Sequence, residues 1–126
     1  TKEVEAIAIN AVMDAERALG FIPMDISVEK RGYDIESRDP SGASRLRFIE
    51  VKGRIDGSDT VTISKNEILT ALNQPEQFIL GIVHVADAQA KEIAYVREPF
   101  GREPDFGATS VNYKLSELLA KGEQPR

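Results

Sequence analysis

The four residues Asp39-Pro40-Ser41-Gly42 sit between two runs in which apolar and polar residues alternate, Tyr33 to Arg38 and Arg45 to Arg54. Proline presets φ for a turn and glycine takes a positive φ without strain, so the segment reverses the chain. The two runs then form an antiparallel hairpin in which residues equidistant from Gly42 face one another: Asp34 with Glu50, Ile35 with Ile49, Tyr33 with Val51. Side chains alternate between the faces of a strand. One face therefore carries Tyr33, Ile35, Ile49 and Val51 as a core, and the other carries Asp34, Glu50 and Lys52. A slip of one residue would set acids against apolar side chains, so burial selects this register. Directly opposed Cβ atoms lie about 4.5–5.5 Å apart, which brings the two carboxylates together.

The rest of the chain supplies layers around that hairpin. Val4, Ile7, Ala8, Ala11, Val12, Ala15 and Leu19 recur at helical spacing, which predicts a helix from Lys2 to Leu19 that Gly20 ends. Phe21 to Val28 reads as extended, with Pro23 marking an edge or a strand start. Thr60 to Ile63 is a short β-branched strand, and Ser64-Lys65-Asn66-Glu67 has the spacing of a capping box that opens a second helix ending before Pro75. Phe78 to Val85 is almost continuously apolar, the pattern of a central strand buried on both faces, and Glu92 to Arg97 pairs with it as a hairpin. Pro99 to Gly107 is a loop, Val111 to Tyr113 a short strand, and Ser116 to Ala120 a terminal helix. The fold class expected is α/β, a single domain over residues 1–126 with a central mixed, largely antiparallel sheet flanked by helices.

Composition removes several chemistries. The chain has no cysteine and a single histidine, His84, so thiolate zinc sites, cysteine nucleophiles and histidine-based triads have little to build on. No apolar run approaches the length of a membrane span and no signal-peptide pattern opens the chain, which points to an intracellular protein. The first residue is Thr1 and the last five are Gly-Glu-Gln-Pro-Arg, as expected of a domain cut from a longer protein or of a chain lacking its initiator methionine. A net charge of −5 argues against a free-standing nucleic-acid binder with a basic face. A metal site concentrates acids, however, and a larger parent protein can supply basic surface.

Two facing carboxylates repel unless positive charge lies between them. Lys52 supplies one charge, and Mg²⁺, which takes a few carboxylates plus waters and phosphate oxygens, supplies more. Asp34 and Glu50 would then hold the ion beside a phosphodiester, with Lys52 orienting or helping to deprotonate the attacking water, or neutralising the phosphate. Against this stands the ordinary reading of Glu-x-Lys on a strand, a solvated face with an ion pair worth under about 1 kcal/mol.

A helix, then Gly32-Tyr33-Asp34-Ile35, a hairpin, Ile49-Glu50-Val51-Lys52-Gly53, a second helix and a buried strand together resemble the PD-(D/E)XK nuclease superfamily. More narrowly, the chain resembles the protein NO VEIN C-terminal domain family, found at the ends of helicase-like and ATPase-like proteins. The matching segments run from Gly20 through Phe48 to Arg54, Val61 to Asn73, Phe78 to Val85 and Ile93 to Phe100. The resemblance implies a restriction-endonuclease-like fold and a nuclease acting on DNA with Mg²⁺, or Mn²⁺ as substitute, within a helicase-linked restriction or defence protein. It places Asp34, Glu50 and Lys52 at the metal and catalytic positions and the Val51 carbonyl in the metal shell. The superfamily often adds a glutamate from the first helix. Glu5 and Glu16 share a helix face about three turns apart, and Glu5 is the favoured ligand. The superfamily's proline before the metal aspartate is replaced by Tyr33.

Other positions carry weaker expectations. Asn66 and Glu67 lean toward the metal or serve only the helix cap; Lys65, Arg45, Arg47 and Arg54 meet phosphates or are simply solvated. His84 is expected in the core, and Tyr33 in packing. Two alternatives to a nuclease stand: a non-catalytic module of the same fold that binds nucleic acid or a partner protein, and a docking domain using Pro99-Phe100 and Phe106. Strandedness, specificity and oligomeric state are not encoded in any of these patterns.

Overall fold

A computed structural model describes residues Thr1–Arg126. The hairpin forms in the expected register: β2 (Ile35–Arg38) lies antiparallel to β3 (Arg47–Arg54) with Ile35 opposite Ile49. Before it come α1 (Lys2–Ala18), the edge strand β1 (Ile22–Asp25) and a 3₁₀ turn at Ser27–Glu29. Thr1 caps α1 by accepting the Val4 N–H on its hydroxyl. After the hairpin come β4 (Thr60–Ser64), α2 (Lys65–Asn73), β5 (Phe78–Ala86), β6 (Gln89–Arg97), β7 (Ser110–Lys114) and α3 (Leu115–Ala120).

The main sheet has the order β1-β2-β3-β5-β6, and its only parallel pair is β3 with β5. That pair needs a crossover, which β4 and α2 provide. β4 leaves the main sheet and pairs with β7 in a separate two-stranded ribbon, a partner that its short β-branched pattern did not reveal.

Both faces of the sheet are covered, and β5 shows why its sequence is continuously apolar. Ile79, Val83 and Val85 point into a core shared with Ala8 and Val12 of α1 and with Ile35, Ile49 and Val51. Phe78, Leu80 and Ile82 point the other way, into a core with Phe48, Ile63, Ile68, Leu115 and Leu118. Each fully buried aliphatic side chain of this kind stabilises the fold by about 1.5–3 kcal/mol. Gly53 matters to the first layer: a Cβ there would come within 2.8 Å of Val4 Cγ1, so glycine lets the start of α1 settle on β3 without displacing the Val4 side chain.

Three expectations change. The strand begins at Ile35, not Tyr33, because Gly32 holds a left-handed φ of +88° and turns the chain just before it. Tyr33 therefore leaves the face of Ile35, Ile49 and Val51 and stacks on Phe48 in the opposite core, ring centroids 4.5 Å apart. Phe100 is buried against Phe78 and Tyr113 and offers no docking surface, whereas Phe106 stands fully exposed. His84 lies at the end of β5, where the strand emerges, with Nε2 2.6 Å from Asp56 Oδ1, so it is not a core histidine. No helix is long and apolar enough to cross a membrane.

Candidate active site

Where β2 stops, Asp34 takes over. Its N–H donates to the Ile49 carbonyl at 2.9 Å and its own carbonyl accepts the Ile26 N–H at 2.8 Å, so its backbone is tied to both neighbours. Its carboxylate Oδ2 accepts the Val51 N–H at 2.9 Å, replacing the main-chain partner β2 no longer provides. A residue's N–H and C=O leave the same edge of a strand, so the Val51 carbonyl emerges beside Asp34.

Glu50, the next residue back along β3, is only 3% exposed. This overturns the solvated-face reading of Glu-x-Lys. Lys52 reaches back along the strand to place Nζ 3.3 Å from Glu50 Oε2 and 3.2 Å from Glu67 Oε1. Glu67 arrives from the first turn of α2, where the capping box forms as expected: Ser64 N–H donates to Glu67 Oε1 at 2.9 Å and Glu67 N–H donates to Ser64 Oγ at 3.1 Å. The capping pattern was legible. That the same oxygen also meets Lys52 was not, because only the crossover brings the start of α2 over β3.

These groups line a cleft of about 460 Å³, bordered by Glu5, Ser27, Asp34, Glu50, Lys52 and Glu67. A second lobe of about 380 Å³ shares Ser27, Asp34, Glu50 and Glu67 with it and continues past Lys30 and Asn66. The acids therefore line both cavities where they adjoin.

The electrostatics are those of a cluster short of positive charge. Burial pushes the Glu50 carboxyl well above its usual range, Asp34 and Glu67 push it further, and Lys52 only partly opposes them. Burial raises Asp34 as well; the Val51 N–H pulls it down and Glu67 pushes it up. For Lys52, burial alone would lower the ammonium's pKa, but Glu50 and Glu67 outweigh it and the net shift is upward. Glu50 and Glu67 thus share one ammonium, and Asp34 adds a third negative charge beside Glu50.

The donor set suits a hard cation. Nowhere does the chain converge three or more His, Asp or Glu side chains into a metal-binding group, and cysteine is absent. Zinc, which wants nitrogen or sulfur donors in a closed tetrahedron, does not fit. Two carboxylates and a main-chain oxygen fit Mg²⁺, which keeps several of its waters, and a divalent charge would relieve the deficit around Glu50.

Of the two helix glutamates, the structure separates them clearly. Glu5 borders the cleft with the acids. Glu16 is fully buried elsewhere, accepting Arg47 Nε at 2.8 Å, Arg47 Nη2 at 3.0 Å and the Tyr95 hydroxyl at 2.7 Å. Arg47, which also lies over the Phe21 ring, is thereby committed to the fold and not to phosphate, and Arg45 pairs with Glu76.

The family model described as "Protein NO VEIN, C-terminal" matches residues 4–96, most of the chain and all of the site. The chain belongs to the protein NO VEIN C-terminal domain family. Among functionally curated proteins, none matches the sequence. Among solved structures, that of Hjc from Archaeoglobus fulgidus, a Holliday junction resolvase from an archaeal hyperthermophile, superposes with a TM-score of 0.60 at 10% identity. The match covers 91% of this chain and 94% of the resolvase. At that identity the likeness establishes the fold, which is the restriction-endonuclease-like architecture expected from the sequence. This member of the family therefore joins a nuclease-like scaffold to an under-neutralised pair of acids, of which Glu50 is buried and Asp34 partly so.

Proposed function

We propose that this domain is a Mg²⁺-dependent nuclease that hydrolyses phosphodiester bonds in DNA. The observation that carries the reading is the meeting of Asp34, Glu50 and Lys52 in one cleft, with Glu50 3% exposed and its only cation shared with Glu67. A protein gains no stability from such an arrangement, and chemistry is the usual reason to keep one. The fold shared with a Holliday junction resolvase supports DNA as the substrate class.

In this reading Asp34, Glu50 and the Val51 carbonyl would hold Mg²⁺, with Glu5 facing the same cleft from α1. Bound there, the ion supplies a water of lowered pKa and positive charge for the scissile phosphate. The Val51 N–H fixes one oxygen of Asp34 and so holds its carboxylate at the cleft. Lys52 contributes its ammonium, orienting the attacking water or neutralising a phosphate oxygen as charge builds. The family's occurrence at the ends of helicase-like proteins supports a parent motor that delivers DNA, which suits a domain whose own net charge is −5.

The test is direct. Plasmid and single-stranded DNA are incubated with the domain in Mg²⁺ and in Mn²⁺, beside Asp34→Ala and Lys52→Ala. Cleavage by the wild type alone supports the assignment; equal activity in all three proteins overturns it. The acidic balance and the lack of a larger acid cluster favour one competing reading, a non-catalytic module of the same fold. Calorimetry separates them: Mn²⁺ binding that Glu50→Ala abolishes supports the enzyme, and absence of binding at millimolar metal supports the module.

A further inference from the structure

Lysine is a flexible side chain whose charge has about 2 kcal/mol of rotamer entropy to lose before it points anywhere in particular. In this site it points somewhere definite. Lys52 could be held by Glu50 alone, two residues away on the same strand face, but Glu50 is also the acid that a cation and a phosphate would engage. A lysine anchored only to Glu50 would lose its anchor whenever the site is occupied. The second anchor comes from a different element: Glu67 Oε1, in the first turn of α2, 3.2 Å from Nζ.

Glu67 is itself held. Its Oε1 accepts the Ser64 N–H at 2.9 Å while its own N–H donates to Ser64 Oγ at 3.1 Å, so the carboxylate is fixed by the reciprocal pair that starts α2. A capping box ordinarily needs nothing beyond these two bonds. Here one carboxylate oxygen serves both the helix start and the lysine, and the side chain is only 18% exposed. The distance from Lys52 to α2 is thereby set by a helix terminus and not by two mobile side chains.

We infer that Glu67 is the positioning residue for Lys52, its carboxylate held in place for that task by the Ser64 main-chain N–H at the start of α2. The inference rests on the nuclease reading for its consequence in turnover, but not for its structural content. Glu67 takes no part in the chemical step. It sets the direction of the ammonium when Glu50 is engaged by ligand, which is a demand on kcat and not on substrate affinity.

Two substitutions separate positioning from capping. Glu67→Gln keeps a side-chain oxygen that can accept the Ser64 N–H, but removes the charge that holds Lys52. Ser64→Ala weakens the cap and leaves the Glu67 carboxylate in place. The first measurement is independent of activity: ammonium-selective proton–nitrogen NMR of the intact domain, assigned by Lys52→Arg. An ammonium held between two carboxylates exchanges its protons slowly and gives a resolved signal. That signal is expected in the wild type and in Ser64→Ala, and is expected to be lost in Glu67→Gln while the melting temperature stays within a few degrees of the wild type. Retention of the signal in Glu67→Gln overturns the inference. So does its loss in Ser64→Ala alone. The second measurement is steady-state cleavage of DNA with Mn²⁺, where Glu67→Gln is expected to lower kcat about ten-fold with KM within two-fold. A change confined to KM overturns the positioning role. Should the wild type cleave nothing, the nuclease reading fails, and the NMR result still decides where Lys52 is held.

Discussion

Two glutamates in this chain are buried almost completely, and their surroundings are opposite. Glu16 accepts two hydrogen bonds from one guanidinium and a third from the Tyr95 hydroxyl, so every demand of a buried carboxylate is met. Glu50 has one ammonium that it shares with Glu67, and it faces two like charges. Burial without satisfaction costs free energy. Glu16 is a joint that ties α1, β3 and β6 together; Glu50 is a buried acid whose surroundings leave it short of positive charge. Residue type and burial are the same in both places, and the partners alone distinguish structure from chemistry.

The contrast can be broken at its strong end first. Removing Glu16 leaves the Arg47 guanidinium, 13% exposed, without its carboxylate. Glu16→Ala is therefore expected to destabilise the fold by about 3–5 kcal/mol, read as a drop in the urea midpoint, while the protein that remains folded binds Mn²⁺ as before. A change under 1 kcal/mol in that experiment, with ~1 kcal/mol taken as the typical cost of any substitution, would show the network to be dispensable. Asp34→Ala is expected to lower DNA cleavage by about 10²–10⁴-fold, a barrier change of comparable size but with little loss of stability. Gel assays and melting curves on the same preparation check both halves of that statement.

Glu50→Gln sharpens the comparison by reversing the usual sign. Neutralising an acid that sits among like charges is expected to stabilise the domain by about 1 kcal/mol at pH 7 while abolishing metal-dependent cleavage. The smallest effect is in the pH profile. The folded state raises the pKa of Glu50 and of Asp34, so it binds protons more tightly than the unfolded chain does. The stabilisation from that protonation is complete below the ordinary carboxyl values of 4.5 and 3.8 and is lost as pH rises through the raised folded values. The wild type is accordingly expected to lose stability from pH 5 to pH 7 more steeply than Glu50→Gln, as followed by thermal melts. Parallel profiles would show that Glu50 is not the group responsible.

What the sequence disclosed follows from which interactions are local. The hairpin register was legible because a turn of definite chemistry lies between two alternating runs, and Ile35 does face Ile49. The capping box was legible because Ser64 and Glu67 are three residues apart. The burial of Phe78 to Val85 on both faces followed from an unbroken apolar run. The misses are all non-local or depend on a single backbone angle. Nothing near Glu16 in the chain announces Arg47 or Tyr95, and nothing in Thr60 to Ile63 names β7 as its partner. Tyr33 changed cores because Gly32 turns the chain three residues before β2, a detail that period-two counting cannot see. That Asp34, Glu50 and Lys52 lie side by side followed from pattern, but the burial that distinguishes Glu50 from an ordinary surface acid required the layers on both sides of β3.

Gly53 gives α1 the character of a lever. The Glu16 clamp near one end is its fulcrum, and the contact of Val4 with Gly53 is the stop at the other. Between Glu16 and Glu5 the helix spans about 16 Å, so a tilt of about five degrees at the clamp swings Glu5 by about 1.4 Å. One missing methyl group therefore sets the gauge of the cleft mouth, at a distance from the acids themselves.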